Sequence, residues 1–135
     1  MPKFNNAKDL ERYLKKAMDT LQFEVIKNTQ AQLGSTDVSP WSTGRLRSSW
    51  FAAEGTASSA VAPEGTDKAN EDAKGLRIDS SKTYHLTNSL PYAQSVAIEG
   101  NVVSQPKTWF TSFRNETIPR IQQTAAKVVK QQFDL

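Results

Sequence analysis

The densest run of side chains able to do chemistry lies between Pro40 and Phe51, P-W-S-T-G-R-L-R-S-S-W-F. Arg45 and Arg47 flank Leu46, and Trp41 and Trp50 are two of the three tryptophans in the chain. A guanidinium presents a planar fork of donors that matches a carboxylate or a phosphate. This pair could therefore hold a buried structural ion pair or the acid group of a partner. Tryptophan buries a large apolar area, which marks the same stretch as a core anchor. Recognition and bracing lie within this chemistry; a reaction does not.

Elsewhere the reactive repertoire is thin. His85 is the one histidine and cysteine is absent, so zinc sites and dyads built on imidazole or thiolate have almost nothing to be made from. His85 itself sits in an alternating stretch and is expected to be structural or to face solvent. Asp67, Glu71 and Asp72 could gather a divalent cation, but their segment has no periodicity to fix ligands, and solvated charge is the expectation. Phosphate-loop, dinucleotide, nucleophile-elbow, zinc-helix and calcium-loop spacings are all missing. The sequence thus predicts a protein that is not an enzyme and carries no metal or cofactor.

These residues need a scaffold, and 135 residues suffice for one domain over 1–135 with a real core. Apolar residues make up 37% and charged residues 23%, polar but foldable. The net charge of +3 comes from basic residues spread along the chain. A solvated basic surface is expected, with a nucleic-acid-binding module using Arg45, Arg47, Lys107 and Trp109 as the alternative. With no run of eighteen apolar residues and no signal-like N-terminus, the expectation is a soluble, unprocessed protein of a reducing compartment.

Ala7 to Leu33 reads as a long amphipathic helix, with Leu10, Leu14, Ala17, Met18, Leu21 and Val25 on one stripe. Asn5 or Asn6 can cap its start and Gly34 can stop it. Phe23 and Ile26 point away from the stripe; a monomer would leave them wet, which makes them candidates for a subunit contact. The central core, 40–104, begins with a short helical turn capped by Ser42 or Thr43 and ending at Trp50, followed by a strand over Phe51 to Glu54. Residues 55–75 are rich in small and polar types and predict a flexible loop, either an arm that meets a partner or a plain hairpin loop.

Leu76 and Ile78, then Tyr84 and Leu86, alternate with polar neighbours around Asp79-Ser80-Ser81, predicting a β-hairpin. Pro91 opens a short helix to Ile98 that buries Tyr92, Val96 and Ala93 and is closed by Gly100; Val102 and Val103 could add a strand. The C-terminal helix, 107–133, carries two apolar patches. Trp109, Phe110 and Phe113 form one; Ile118, Ile121, Ala125, Val128 and Val129 form another, rotated by a kink or a new start at Pro119. The predicted class is α+β: a small antiparallel or mixed sheet packed against a long N-terminal and a C-terminal helix, with a long polar loop.

The run Ser42-Thr43-Gly44-Arg45-Leu46-Arg47-Ser48-Ser49-Trp50, then Leu86-Thr87-Asn88-Ser89-Leu90-Pro91-Tyr92-Ala93 and Ile98-Glu99-Gly100, resembles the neck and tail-completion proteins of long-tailed bacteriophages. That family joins a T-G-x-L-R-x-S-W segment, a strand ending T-N-x-x-P-Y-A, an acidic residue with glycine and a C-terminal helix. The resemblance runs from residue 42 to the end of the chain. It implies a structural virion protein assembled in the host cytoplasm: a ring, hexameric by the family's habit, at the head-tail junction. Such a ring completes or terminates the tail and binds the head connector or stopper and the tail tube or terminator, while DNA passes through its lumen without sequence-specific binding. On this reading Trp41, Arg45, Arg47, Trp50, Asn88, Tyr92 and Glu99 brace the core or a subunit interface, with Phe23 and Ile26 supplying one side of a heterologous contact.

Overall fold

The computed structural model describes residues 2–39, 44–100 and 106–135. The fold is α+β, with a long N-terminal helix, a two-stranded antiparallel sheet and a C-terminal helix. Helix α1 spans Ala7–Leu33, and the Asn6 side chain caps it by accepting from the Asp9 amide at 3.0 Å. Helix α2, Arg45–Ser48, is a single turn that enters from Gly44 at φ 84°, a backbone conformation that glycine adopts without strain. Strands β1, Trp50–Glu54, and β2, Tyr84–Asn88, pair with Trp50 opposite Asn88 and Glu54 opposite Tyr84. Helices α3, Ala93–Ala97, and α4, Trp109–Ser112, are short, and α5 covers Ile118–Gln132.

Two strands alone are marginal in water, so this sheet depends on what covers it. Trp50, Leu33, Trp109, Phe113 and Ile121 form the main core, with Val38, Val96, Ala97, Phe110 and Ile118 packed against it. Trp50 stacks on Phe110 at 6.1 Å between ring centres and 6° between planes. A second cluster joins α1 to α5 through Ala17, Val129 and Phe133, flanked by Tyr13 and Leu21. The Tyr13 hydroxyl donates to the Phe133 carbonyl, fixing the antiparallel seam at its far end.

This arrangement corrects the expected faces of α1. The predicted stripe is split: Ala17 and Leu21 enter the α5 seam, whereas Leu10, Leu14 and Met18 stay exposed. Phe23 and Ile26 are half-buried rather than wet, and Lys27 lies over the Phe23 ring at 5.2 Å. The reason is that α1 is gripped from two sides, by α5 and by the sheet with its neighbouring 3-10 turn, Asp72–Gly75. The strongest apolar stripe falls partly between those grips.

The expected hairpin of 76–78 with 84–86 is also replaced. β2 pairs with β1, and 76–78 is not a strand, although Ile78 is buried. Asp79 organises the turn locally instead, accepting from the Ser81 amide and hydroxyl. Tyr92 is exposed, not buried, while Val96 is half-buried and its carbonyl receives the Trp109 indole N–H at 3.0 Å. Val102 and Val103 lie outside the described residues.

The change of register in the C-terminal segment takes place in a π turn, Phe113–Thr117, where the Ile118 amide bonds five residues back to the Phe113 carbonyl. That turn adds one residue to the helical path, and Pro119, which has no N–H to give, follows it directly in the first turn of α5. Trp109 and Phe113 are then buried above the turn and Ile121, Ala125 and Val129 below it; Val128, expected among them, is exposed.

Candidate functional site: a clamp around helix α2

The segment that carries the arginines is held by the loop that was expected to be flexible, as an arm or a plain hairpin loop. Residues 55–75 fold back over α2 and β1 as a strap, burying Ala62 and Ala73. Arg45 Nε donates to the Ala62 carbonyl at 2.9 Å, with Glu64 at 3.9 Å from the same guanidinium. Arg47 Nε meets Asp67 Oδ1 at 2.8 Å, its Nη1 the Gly34 carbonyl and its Nη2 the Asp67 carbonyl, both at 2.9 Å. Arg47 thus ties the end of α1 to the strap through charge-assisted bonds in a fork geometry that lysine lacks.

Two serines complete the clamp. Ser49, fully buried, donates to the Arg45 carbonyl and accepts from the Ala62 amide at 3.1 Å. Ser48 donates to the Gly44 carbonyl and accepts from the Lys68 amide at 2.9 Å. In a helix a serine hydroxyl readily bonds the carbonyl four residues back, and here its second lone pair catches the strap. The strap is therefore a bonded part of the fold.

Gln30 and Asp72 link the clamp to the sheet. Gln30 is 1% exposed; its amide nitrogen donates to the Trp50 carbonyl at 3.1 Å and to Asp72 Oδ1, and its oxygen accepts from the Ala73 amide at 2.9 Å. Asp72 also accepts from the Ala52 amide at 3.1 Å. Together they occupy outward-facing backbone groups of β1, a strand edge that would otherwise invite pairing. Sequence reasoning overlooked Gln30 and read Asp72 as solvated charge. The available signal was the row Ile26, Gln30, Leu33, spaced four and three apart on a second face of α1.

Of the residues singled out from sequence, the structure gathers four at this point. Asn88 Nδ2 donates to the Leu46 carbonyl at 2.8 Å, and Asn88 stands opposite Trp50 in the sheet, so two separate motif segments meet. Trp50 is buried, its indole N–H reaching Ser39 Oγ at 3.2 Å. Arg45 and Arg47 join them through α2. Tyr92 and Glu99 lie apart, exposed beyond the two ends of α3, Phe23 and Ile26 lie along α1, and Trp41 falls outside the described residues.

The polar groups of this site bond to other groups of the fold. Asp67, Glu71 and Asp72 do not converge: Asp67 faces Arg47, Glu71 pairs with Lys74 at 2.8 Å, and Asp72 serves Gln30 and Ala52. Among the described residues no group of three or more His, Cys, Asp or Glu could hold a metal ion, and no helix is long and apolar enough to cross a membrane. His85 Nε2 lies 3.0 Å from the Gly55 carbonyl at the end of β1. The surface foreseen for phosphate contact is not assembled either, since Arg45 and Arg47 are engaged internally and Trp109 is buried. The chain matches no family model, no curated protein and no solved structure.

Proposed function

We propose that this chain is a structural subunit of a bacteriophage head-tail junction, assembling into a ring that completes or terminates the tail and joins it to the head connector around the DNA channel. Its role is architectural rather than catalytic, and its partners are further copies of itself together with connector, stopper, tail-tube or terminator proteins in the virion. The sequence resemblance supplies the phage context. The supporting observation is that apolar side chains remain uncovered at two opposite ends of the subunit.

Leu10, Leu14 and Met18 are 37%, 41% and 53% exposed along the N-terminal half of α1. Tyr92 and Ile98, 41% and 65% exposed, bracket α3. α3 packs through Val96 and Ala97 against the core cluster that holds Leu33, and Leu33 lies roughly 28 Å from Leu14 at 1.5 Å per helical residue. Different patches at opposite ends suit a heterologous, head-to-tail contact, the kind that closes into rings.

Native mass spectrometry and negative-stain imaging test the reading, on the protein alone and mixed with connector and tail-tube proteins. A ring is expected, and L14E/M18E should yield folded monomers. A strictly monomeric wild-type particle in every mixture sinks the proposal.

A further inference from the structure

The formal charge of +3 is not evenly distributed. Residues 106–135 hold five basic and two acidic side chains, leaving twelve of each in residues 1–105. The structure sharpens this asymmetry. Arg12, Lys15, Lys27, Arg45, Arg47, Lys74 and Lys82 all meet carboxylates. Helix α5 contains no acidic residue, and among the described residues Arg120, Lys127 and Lys130 have no carboxylate within ion-pair distance.

These three cations lie on one side. At 100° per residue, Arg120 and Lys127 fall within about 20° of each other and Lys130 about 60° further round, opposite the buried row Ile121, Ala125 and Val129. Gln123 and Gln131 share the cationic face, and all five are exposed. The row extends about 15 Å from Arg120 to Lys130.

We infer that this outer face of α5 is a sequence-independent contact for the phosphate backbone of duplex DNA. The face is cationic and amide-rich with no carboxylate to repel phosphate, the composition that positions a protein on DNA without reading bases. It has no aromatic side chain, so it lacks the stacking platforms of single-strand binders and the anchors of a protein interface. It also lacks the apolar row with which an amphipathic helix enters a membrane. Three separated point contacts hold a polyanion weakly enough to let it slide. The inference deepens the neck reading, in which α5 would turn toward the channel.

The test is fluorescence anisotropy of the full chain with labelled duplexes of two unrelated sequences, titrated from about 50 to about 200 mM salt. Three phosphate contacts predict a log-log slope of about −2.7 per bound subunit, a loss of roughly forty-fold across that range and equal for both duplexes. R120Q/K127Q/K130Q should flatten the slope, whereas K8Q/K16Q/K68Q, with the same change in net charge, should preserve it. Absence of wild-type binding at the lowest salt, or equal losses in the two triple variants, overturns the inference. Particle mass measured in parallel separates it from the ring. A strictly monomeric protein that binds through α5 supports the inference against the neck reading, and a ring whose DNA binding ignores α5 does the reverse.

Discussion

Replacing Gln30 by leucine probes the junction between α1, the strap and the sheet. The two side chains are similar in size, so the substitution fills the space while removing hydrogen bonds to the Trp50 carbonyl, Asp72 and the Ala73 amide. Asp72 is exposed and can turn to water. Ala73 is 0% exposed and Trp50 only 6%, so their backbone groups have no such recourse. An orphaned buried donor or acceptor costs about 1–3 kcal/mol, and burying a leucine in place of an amide returns part of it. The net expectation is about 2–5 kcal/mol, a large share of the roughly 5–15 kcal/mol that holds a domain folded. Thermal unfolding followed by circular dichroism reads the total, and hydrogen exchange at the Ala73 and Ala52 amides reads the location. Asp72→Ala, which orphans the half-buried Ala52 amide and one N–H of the buried Gln30 amide, should cost about 1–3 kcal/mol, and the double variant should cost less than the sum because the partners are shared. Stability of Gln30→Leu within about 0.5 kcal/mol of wild type, with exchange at Ala73 unchanged, would refute the reasoning.

Gly44→Ala must accept φ 84° and press against the Asp67 side chain, so a loss of about 1–3 kcal/mol in unfolding free energy is expected, with loosened exchange across the strap. L14E/M18E, at exposed positions, should stay within about 0.5 kcal/mol per site in the monomer's chemical denaturation. Acidification should release the turn at 79–82 first. Lys15 reaches Asp19 at 2.6 Å and Asp79 at 2.8 Å; its hydrogen bond, with those of Ser81, holds the Asp79 carboxyl well below the ordinary carboxylate range. Burial pushes Asp19 up, but the bonds from Lys15 and Ser80 outweigh it and leave it lowered. Carboxyls depressed in the folded state stabilise above the unfolded value near pH 4 and lose that contribution as pH falls through their folded values. Amide exchange at Ser80 and Ser81, corrected for intrinsic rates, should therefore rise below about pH 4, and Lys15→Met should blunt the response.

Much of the fold was legible where one physical signal dominated. The bounds of α1 followed from its periodicity and the Asn6 cap, and β1 from its position after a single helical turn at Arg45–Ser48. The α1 faces misled because the sheet-facing row mixes Gln22, Ile26, Gln30 and Leu33, so a polar but buried side was outshone by the apolar stripe. β2 was assigned the wrong partner because alternation shows that a strand exists, not which edge it meets. The strap looked unstructured because side chains outside it, on Arg45, Arg47, Ser48, Ser49 and Gln30, supply many of the bonds that hold it. Trp50, Arg45, Arg47 and Asn88 stood out by type, whereas Gln30 and Asp72 gained meaning only once the chain brought them together.

The π turn at 113–117 works as a phase-setter for everything downstream. Rewinding the same residues as regular α-helix would advance α5 by about 100° relative to α4, because the π turn spreads one extra residue over about the same rotation. Ile121, Ala125 and Val129 would swing out of the core while the Arg120–Lys127 side rotated toward α1. The chain would keep its composition, its charge and its length, yet the core and the basic surface would no longer point where they do. A single inserted position thus carries orientational information that no side chain in the turn encodes, and a variant one residue shorter here, with regular helical bonding restored and α5 left in place, should be tolerated better than a variant one residue longer.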